Sequence, residues 1–157
     1  MPAAPDFLLR PAVAAEAPAL TALARAAKAS WGYPAAWLDA WAEDLVVTAT
    51  QAGGGDYVVA EHAGRILGFS GLTRTAEGWR LEHLWVAPEA QRRGVGRALV
   101  QRARMTVRKR GGTRLEVVSD PHAAGFYLAC GATRSGTEAT SVLGAERLLP
   151  RLVFAPA

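Results

Sequence analysis

The chain has 157 residues, half of them hydrophobic and 20% charged, with a net charge of +4. That length and composition fit one folded domain spanning residues 1–157 and exclude a disordered chain. The single cysteine, Cys130, excludes an internal disulfide framework, and no apolar run reaches membrane-spanning length.

Phe7 to Arg10 opens as a short strand stopped by Pro11. The N-terminal stretch before it, Met1-Pro2-Ala3-Ala4-Pro5-Asp6, lacks the charged start and apolar core of a secretion signal. A cytoplasmic protein without a membrane partner is expected. Ala14–Ala29 is alanine-rich and predicts a helix, broken at Trp31-Gly32-Tyr33-Pro34. Ala35–Thr48 returns to helical spacing, with Trp37, Trp41 and Leu45 four residues apart, and at least one of these tryptophans is expected in the core. The turn at Gly53-Gly54-Gly55 leads into a hairpin, Tyr57–Glu61 and Ile66–Leu72.

Trp79–Val86 forms the next strand. Val95–Arg110 is an amphipathic helix with Val95, Leu99, Ala103 and Val107 on one stripe, closed by Gly111-Gly112. Arg114–Val118 is a short strand. Asp120 as N-cap and Pro121 at the first helical position predict a helix through Phe126 and Tyr127 to about Gly131. Thr137–Leu143 and Arg147–Phe154 are the last strands, with Pro150 weakening the second or placing it at an edge. The order predicts an α/β fold, a mixed sheet of about six to seven strands flanked by about four helices.

The junction between the strand ending at Val86 and the helix starting at Val95 is the most informative stretch. Gln91, Gly94 and Gly96 stand in the spacing Q-x-x-G-x-G. Glycines at such a junction let the backbone approach a ligand, while the free N–H groups and helix dipole favour phosphate oxygens. Arg92, Arg93 and Arg97 add charge that suits a diphosphate. A P-loop would need Lys-Ser/Thr after the glycines, and a dinucleotide fingerprint would need a third glycine. Nine of the 18 basic residues lie between Arg92 and Arg114. That excess suits a solvated face, coenzyme A or a nucleic acid.

The run V-x-P-x-x-Q-x-x-G-x-G over residues 86–96 resembles the acetyl-CoA signature of the GCN5-related N-acetyltransferases, the GNAT superfamily. Asp120-Pro121-His122-Ala123-Ala124-Gly125-Phe126-Tyr127 is similar to that family's second block, with Asp120 where many relatives carry Asn. The resemblance implies a GNAT-like fold, acetyl-CoA as co-substrate, and transfer of the acetyl group directly to a primary amine of a small molecule or protein. It implies coenzyme contacts from Leu84, Trp85, Val86, Gln91, Arg92, Arg93, Gly94, Val95, Gly96, Arg97, Asp120 and Phe126. A bulge in the strand Trp79–Val86 would free a backbone donor for the carbonyl oxygen.

Tyr127 aligns with the family acid that protonates the departing thiolate; as residues alone, Phe126 and Tyr127 read equally as helix packing. The resemblance offers Glu82 as the base, which Trp79, Leu81, Leu84 and Trp85 would partly desolvate, with His83 as second choice because imidazole titrates near neutrality; as residues alone, each reads equally as an ordinary strand surface residue. Strand alternation should send these two to opposite faces. Trp31, Tyr33, Trp37 and Trp41 crowd the region that the resemblance places over the acceptor end, where aromatic faces could hold a cationic amine, with Asp39, Glu43 and Asp44 nearby; Trp31, Tyr33 and Trp37 are the expected substrate contacts. Cys130 reads as a structural thiol, and no metal is expected. Family habit adds a homodimer through the exposed final strand. Two other functions stay open: a coenzyme A sensor without catalysis, and a basic nucleic-acid-binding module.

Overall fold

Seven strands build one sheet in the computed structural model, which describes residues 6–155. They are β1 (Leu8–Pro11), β2 (Tyr57–His62), β3 (Arg65–Thr75), β4 (Gly78–Val86), β5 (Leu115–Val118), β6 (Thr133–Val142) and β7 (Ala145–Phe154). Five helices accompany them: α1 (Ala17–Ala29), α2 (Ala35–Ala40), α3 (Ala49–Gly53), α4 (Val95–Lys109) and α5 (Ala124–Ala129). The stretch Met1–Pro5, read above for a leader, lies outside the described residues.

The strand order is β1-β2-β3-β4-β5-β7-β6, antiparallel throughout except for the β4–β5 pair. Parallel neighbours need a long crossover, and α4 supplies it. The predicted stripe on α4 is buried: Val95, Leu99, Ala103 and Val107 pack with Val100 onto one face of the sheet, joined by Tyr127 of α5. Leu20 and Ala24 of α1 and Ala52 of α3 cover the other face, over Tyr57, Val59 and Phe69.

The expected helix over Ala35–Thr48 is instead α2 and a 3-10 turn at Glu43–Leu45, followed by an extended stretch that leads into α3. The cause is local. Val46, Val47 and Thr48 are β-branched and resist helix geometry. Val47 is buried, and its backbone N–H donates to Thr21 Oγ1 at 2.9 Å. Thr48 then starts α3 with a capping box, its hydroxyl accepting from the Gln51 N–H at 3.1 Å and its own N–H donating to Gln51 Oε1 at 2.9 Å. Trp37 and Trp41 are both half-buried and belong to none of the core clusters, contrary to the expectation that one is core.

Two further expectations are corrected. Asp120 does not cap a helix: its Oδ1 accepts from the His122 N–H at 2.8 Å, closing a turn, and α5 begins only at Ala124. Pro150 does not put its strand at an edge, because β7 lies between β5 and β6. The Pro150 carbonyl accepts from the Ser119 N–H at 2.9 Å, so the position that lacks an N–H faces the chain just past the end of β5. The β6 ladder needs nothing from it. The edge strands are β1 and β6, so the final strand has no free edge for pairing.

Candidate active site

β4 and β5 pair only at Trp79↔Leu115 and Arg80↔Glu116. Beyond Arg80, β4 runs on to Val86 with β3 alone beside it, so its other edge opens into a cleft of about 600 Å³. Leu84, Trp85 and Val86 form one wall. Gln91, Arg92, Gly94, Val95, Gly96 and Arg97 form the floor where α4 begins, and Phe126 and Tyr127 of α5 close the far side. A smaller hollow of about 270 Å³, lined by Arg74, Trp79 and Arg110, lies at the opposite end of β4.

The turn into α4 carries left-handed backbone at Arg92 (φ 65°) and Gly94 (φ 80°). Gln91 Nε2 donates to the Val86 carbonyl at 3.1 Å and ties the turn to the end of β4. The first intrahelical bond runs from the Ala98 N–H to the Gly94 carbonyl, which leaves the N–H groups of Val95, Gly96 and Arg97 as the free donors of the helix start. A Cβ on Gly96 would lie 3.0 Å from the Phe126 ring, so glycine keeps the floor low there. Free amides, the positive end of a 15-residue helix and the guanidinium groups of Arg92 and Arg97 suit a diphosphate. Arg93 turns away to pair with Asp6 and does not line the cleft.

Tyr127 is 6% exposed, yet it contributes to the cleft wall, and its hydroxyl makes no hydrogen bond among the described residues. Burial, with smaller contributions from Cys130 and Asp120, raises its pKa well above the ordinary value of 10. The phenol therefore keeps its proton.

Neither residue expected as base lines the cleft. The β3–β4 register passes from Gly71↔His83 to Leu72↔Leu81, leaving Glu82 as the extra residue of a bulge. The parity of β4 changes there. Trp79, Leu81, Leu84 and Val86 face α4, whereas His83 and Trp85 face the α1 side. Alternation thus fails at the pair for which it was invoked: exposed Glu82 acts electrostatically on Tyr57, the same ring that His83 packs against at 6.0 Å. The His83 Nδ1 accepts from the Trp85 indole N–H at 3.1 Å, and burial lowers its pKa to about 4. His83 is a neutral core residue at physiological pH.

At the acceptor end, Trp31 lines the cleft, but Tyr33 and Trp37 stand behind it. The faces expected to hold a substrate cation are taken by the chain's own. The Arg147 guanidinium lies 5.1 Å from the Tyr33 ring and 4.9 Å from that of Trp41, and Lys28 Nζ sits 3.9 Å above Trp41. Asp39, Glu43 and Asp44 are exposed and outside the cleft wall.

Asp120 does not line the cleft either. Its carboxylate accepts from the Tyr33 hydroxyl at 2.8 Å and from His122 Nδ1 at 2.9 Å, and lies 3.5 Å from Arg147. Burial alone would raise its pKa, but these donors and the Lys28 charge bring it below the ordinary value. His122, absent from the sequence expectations, does line the cleft. The only sequence signal for it was its place two residues after Asp120, the spacing of a side-chain-closed turn. Cys130 lies outside the wall, and no metal-binding group of three His, Cys, Asp or Glu occurs among the described residues.

This architecture is that of solved acetyltransferases. It superimposes on a GCN5-related N-acetyltransferase from Rhodopseudomonas palustris with a TM-score of 0.82, 22% identity and 99% of each chain covered. The PaiA N-acetyltransferase from Thermoplasma acidophilum, in complex with coenzyme A, gives 0.69 at 15% identity over 95% of this chain and 98% of that one. YncA from Salmonella typhimurium, with its cofactor acetyl-CoA, gives 0.68 at 21% identity over 97% and 95%. These likenesses concern the fold; no curated protein matches the sequence. The family model for the acetyltransferase (GNAT) domain matches residues 53–131. The chain belongs to the GNAT acetyltransferases, enzymes that use acetyl-CoA as acyl donor.

Proposed function

We propose that the protein moves an acetyl group directly from acetyl-CoA to a primary amine of a small molecule or a protein. The observation that carries this reading is the union of two features in one cleft: the free edge of β4 and the glycine turn at the start of α4. The turn from Gln91 to Arg97 would hold the diphosphate through backbone N–H groups and two guanidinium groups. The main-chain groups that Leu84 to Val86 present on the free edge of β4 would take the amide-bearing arm as an added strand, the pairing a sheet edge offers. Acetyl-CoA, when bound, supplies a thioester carbonyl ready for attack by an amine.

Tyr127 holds a proton at its phenol oxygen beside this wall and would release it to the departing sulfur. Direct transfer is supported by the lack, among the described residues, of an activated nucleophile in the cleft wall. Cys130 is elsewhere, and the Ser30 hydroxyl commits its proton to the Ala27 carbonyl at 2.6 Å.

Acetyl-CoA should raise the melting temperature of the parent, and Gly96→Val, which fills the floor against Phe126, should remove that rise. An undiminished rise in the variant would place the coenzyme elsewhere. Thiol release across amino acids, polyamines, aminoglycosides and peptides then separates an enzyme from a sensor. A sensor binds acetyl-CoA but releases no thiol with any amine.

A further inference from the structure

The transfer reading leaves one proton without a destination, the one that an incoming amine must lose. Among the described residues no carboxylate lines the cleft, and its ionisable side chains are Arg92, Arg97, Tyr127 and His122. Guanidinium groups do not deprotonate in proteins. The Tyr127 phenol is held in its protonated form by burial. His122 is the one side chain of the wall that offers a nitrogen lone pair able to take a proton.

Its surroundings orient it. The ring stacks on Trp31 with centroids 5.3 Å apart and planes 8° apart, and meets the Tyr33 ring edge-on at 5.1 Å. Nδ1 lies 2.9 Å from Asp120 Oδ1, and a carboxylate only accepts, so this nitrogen carries the hydrogen. Nε2 is left with the lone pair and makes no hydrogen bond among the described residues. The side chain is 44% exposed, whereas Asp120 behind it is 9% exposed. Asp120 is itself fixed by the Tyr33 hydroxyl at 2.8 Å, and that hydroxyl accepts from Arg147 at 2.6 Å. A base in the cleft, an orienting carboxylate and a buried clamp together form a relay with one outlet.

We propose that His122 is the general base of the acetyl transfer, held in its Nδ1–H tautomer by Asp120, with Tyr33 and Arg147 as positioning residues. The inference rests on the transfer reading above. An acceptor ammonium would give one proton to Nε2 and so gain a nitrogen lone pair. The C–N bond forms as the C–S bond breaks, and the sulfur takes the Tyr127 proton. The surplus N–H proton restores the phenol, and Nε2 returns its own proton to solvent. The charged groups around the ring are Asp120 at 2.9 Å, Arg147 and Lys28 on the far side of that carboxylate, and Arg92 and Arg97 elsewhere in the cleft wall; Tyr33 and Tyr127 are neutral.

Long-range 1H–15N spectra of the free protein above neutral pH should show His122 protonated at Nδ1, with that preference lost in Asp120→Asn. A ring protonated at Nε2 would overturn the proposal. With whichever amine of the panel gives the fastest thiol release, His122→Gln should bind acetyl-CoA as the parent does by calorimetry. It should lose about 100-fold or more in kcat together with the acidic limb of the pH profile. Asp120→Asn should lose less and move that limb to lower pH, because the anion favouring the imidazolium is gone. A His122→Gln variant with the parent's rate and limb sinks the base assignment and leaves the transfer reading standing. A parent that releases no thiol with any amine sinks both.

Discussion

His83 is 5% exposed, its Nδ1 is occupied by the Trp85 indole, and its folded pKa of about 4 lies below the ordinary 6.5. Below the unfolded value the unfolded chain binds a proton that the native state refuses, so stability falls as the pH drops from about 6.5 towards 4. Each pH unit inside that window should weaken the fold by about 1.4 kcal/mol at most. The depressed carboxylates Asp120, Glu16, Glu89 and Glu116 act lower, below the ordinary 3.8 of the first and 4.5 of the others, so the upper part of the window reports His83. Urea unfolding at pH 7 and pH 5 should show a loss for the parent that His83→Leu largely removes; equal losses would contradict the assignment. Tyr127→Phe should keep acetyl-CoA binding and slow turnover by roughly 100-fold at every pH at which the parent works, because the phenol is protonated throughout. A variant at the parental rate would remove Tyr127 from the chemistry. The place of Tyr127 in the cleft wall was legible because an aromatic pair stands in a recognisable block. The surroundings of His83 were not legible, because a bulge and an indole two residues away decide them. His122 was hidden by Asp120-Pro121, which reads as a helix start and folds as a turn.

The elements were legible wherever periodicity was strong and unopposed. The stripe of α4 is an example, and Leu99, fully buried in it, should cost about 2–5 kcal/mol as Leu99→Ala in chemical denaturation. A loss well under 1 kcal/mol would mean that α4 does not carry the packing described. β3 approaches Tyr57 at Gly71, where a Cβ would fall 2.6 Å from the buried ring. Gly71→Ala should therefore destabilise by about 1–3 kcal/mol through overpacking. A neutral change would contradict that close approach. Boundaries failed where short-range chemistry overrode the pattern: Thr48, read as the end of one helix, instead starts another through a capping box with Gln51. Pro150 misled for a different reason. Its missing donor matters only on the side it faces, and tertiary placement of β7 past the end of β5 decides that side.

Across the whole molecule, the site exists because β4 outruns β5. The parallel pairing stops after two positions, and the divergence leaves a sheet edge, a helix start and an aromatic wall around one cleft. A linear sequence shows the turn but not the divergence, since strand order and register are properties of the assembled sheet. The basic excess also resolves only in three dimensions. Arg104 donates to the Ala155 carbonyl, Arg110 pairs with Asp56, and Arg93 pairs with Asp6, while Arg92 and Arg97 line the cleft. Calorimetric titration of acetyl-CoA into the parent and into an Arg92→Ala, Arg97→Ala double variant tests this division most directly. The parent should bind one equivalent, and the double variant should bind much more weakly while unfolding at a similar denaturant concentration. Absence of binding heat in the parent, or equal affinity in the two proteins, would contradict the placement of the coenzyme diphosphate at the start of α4.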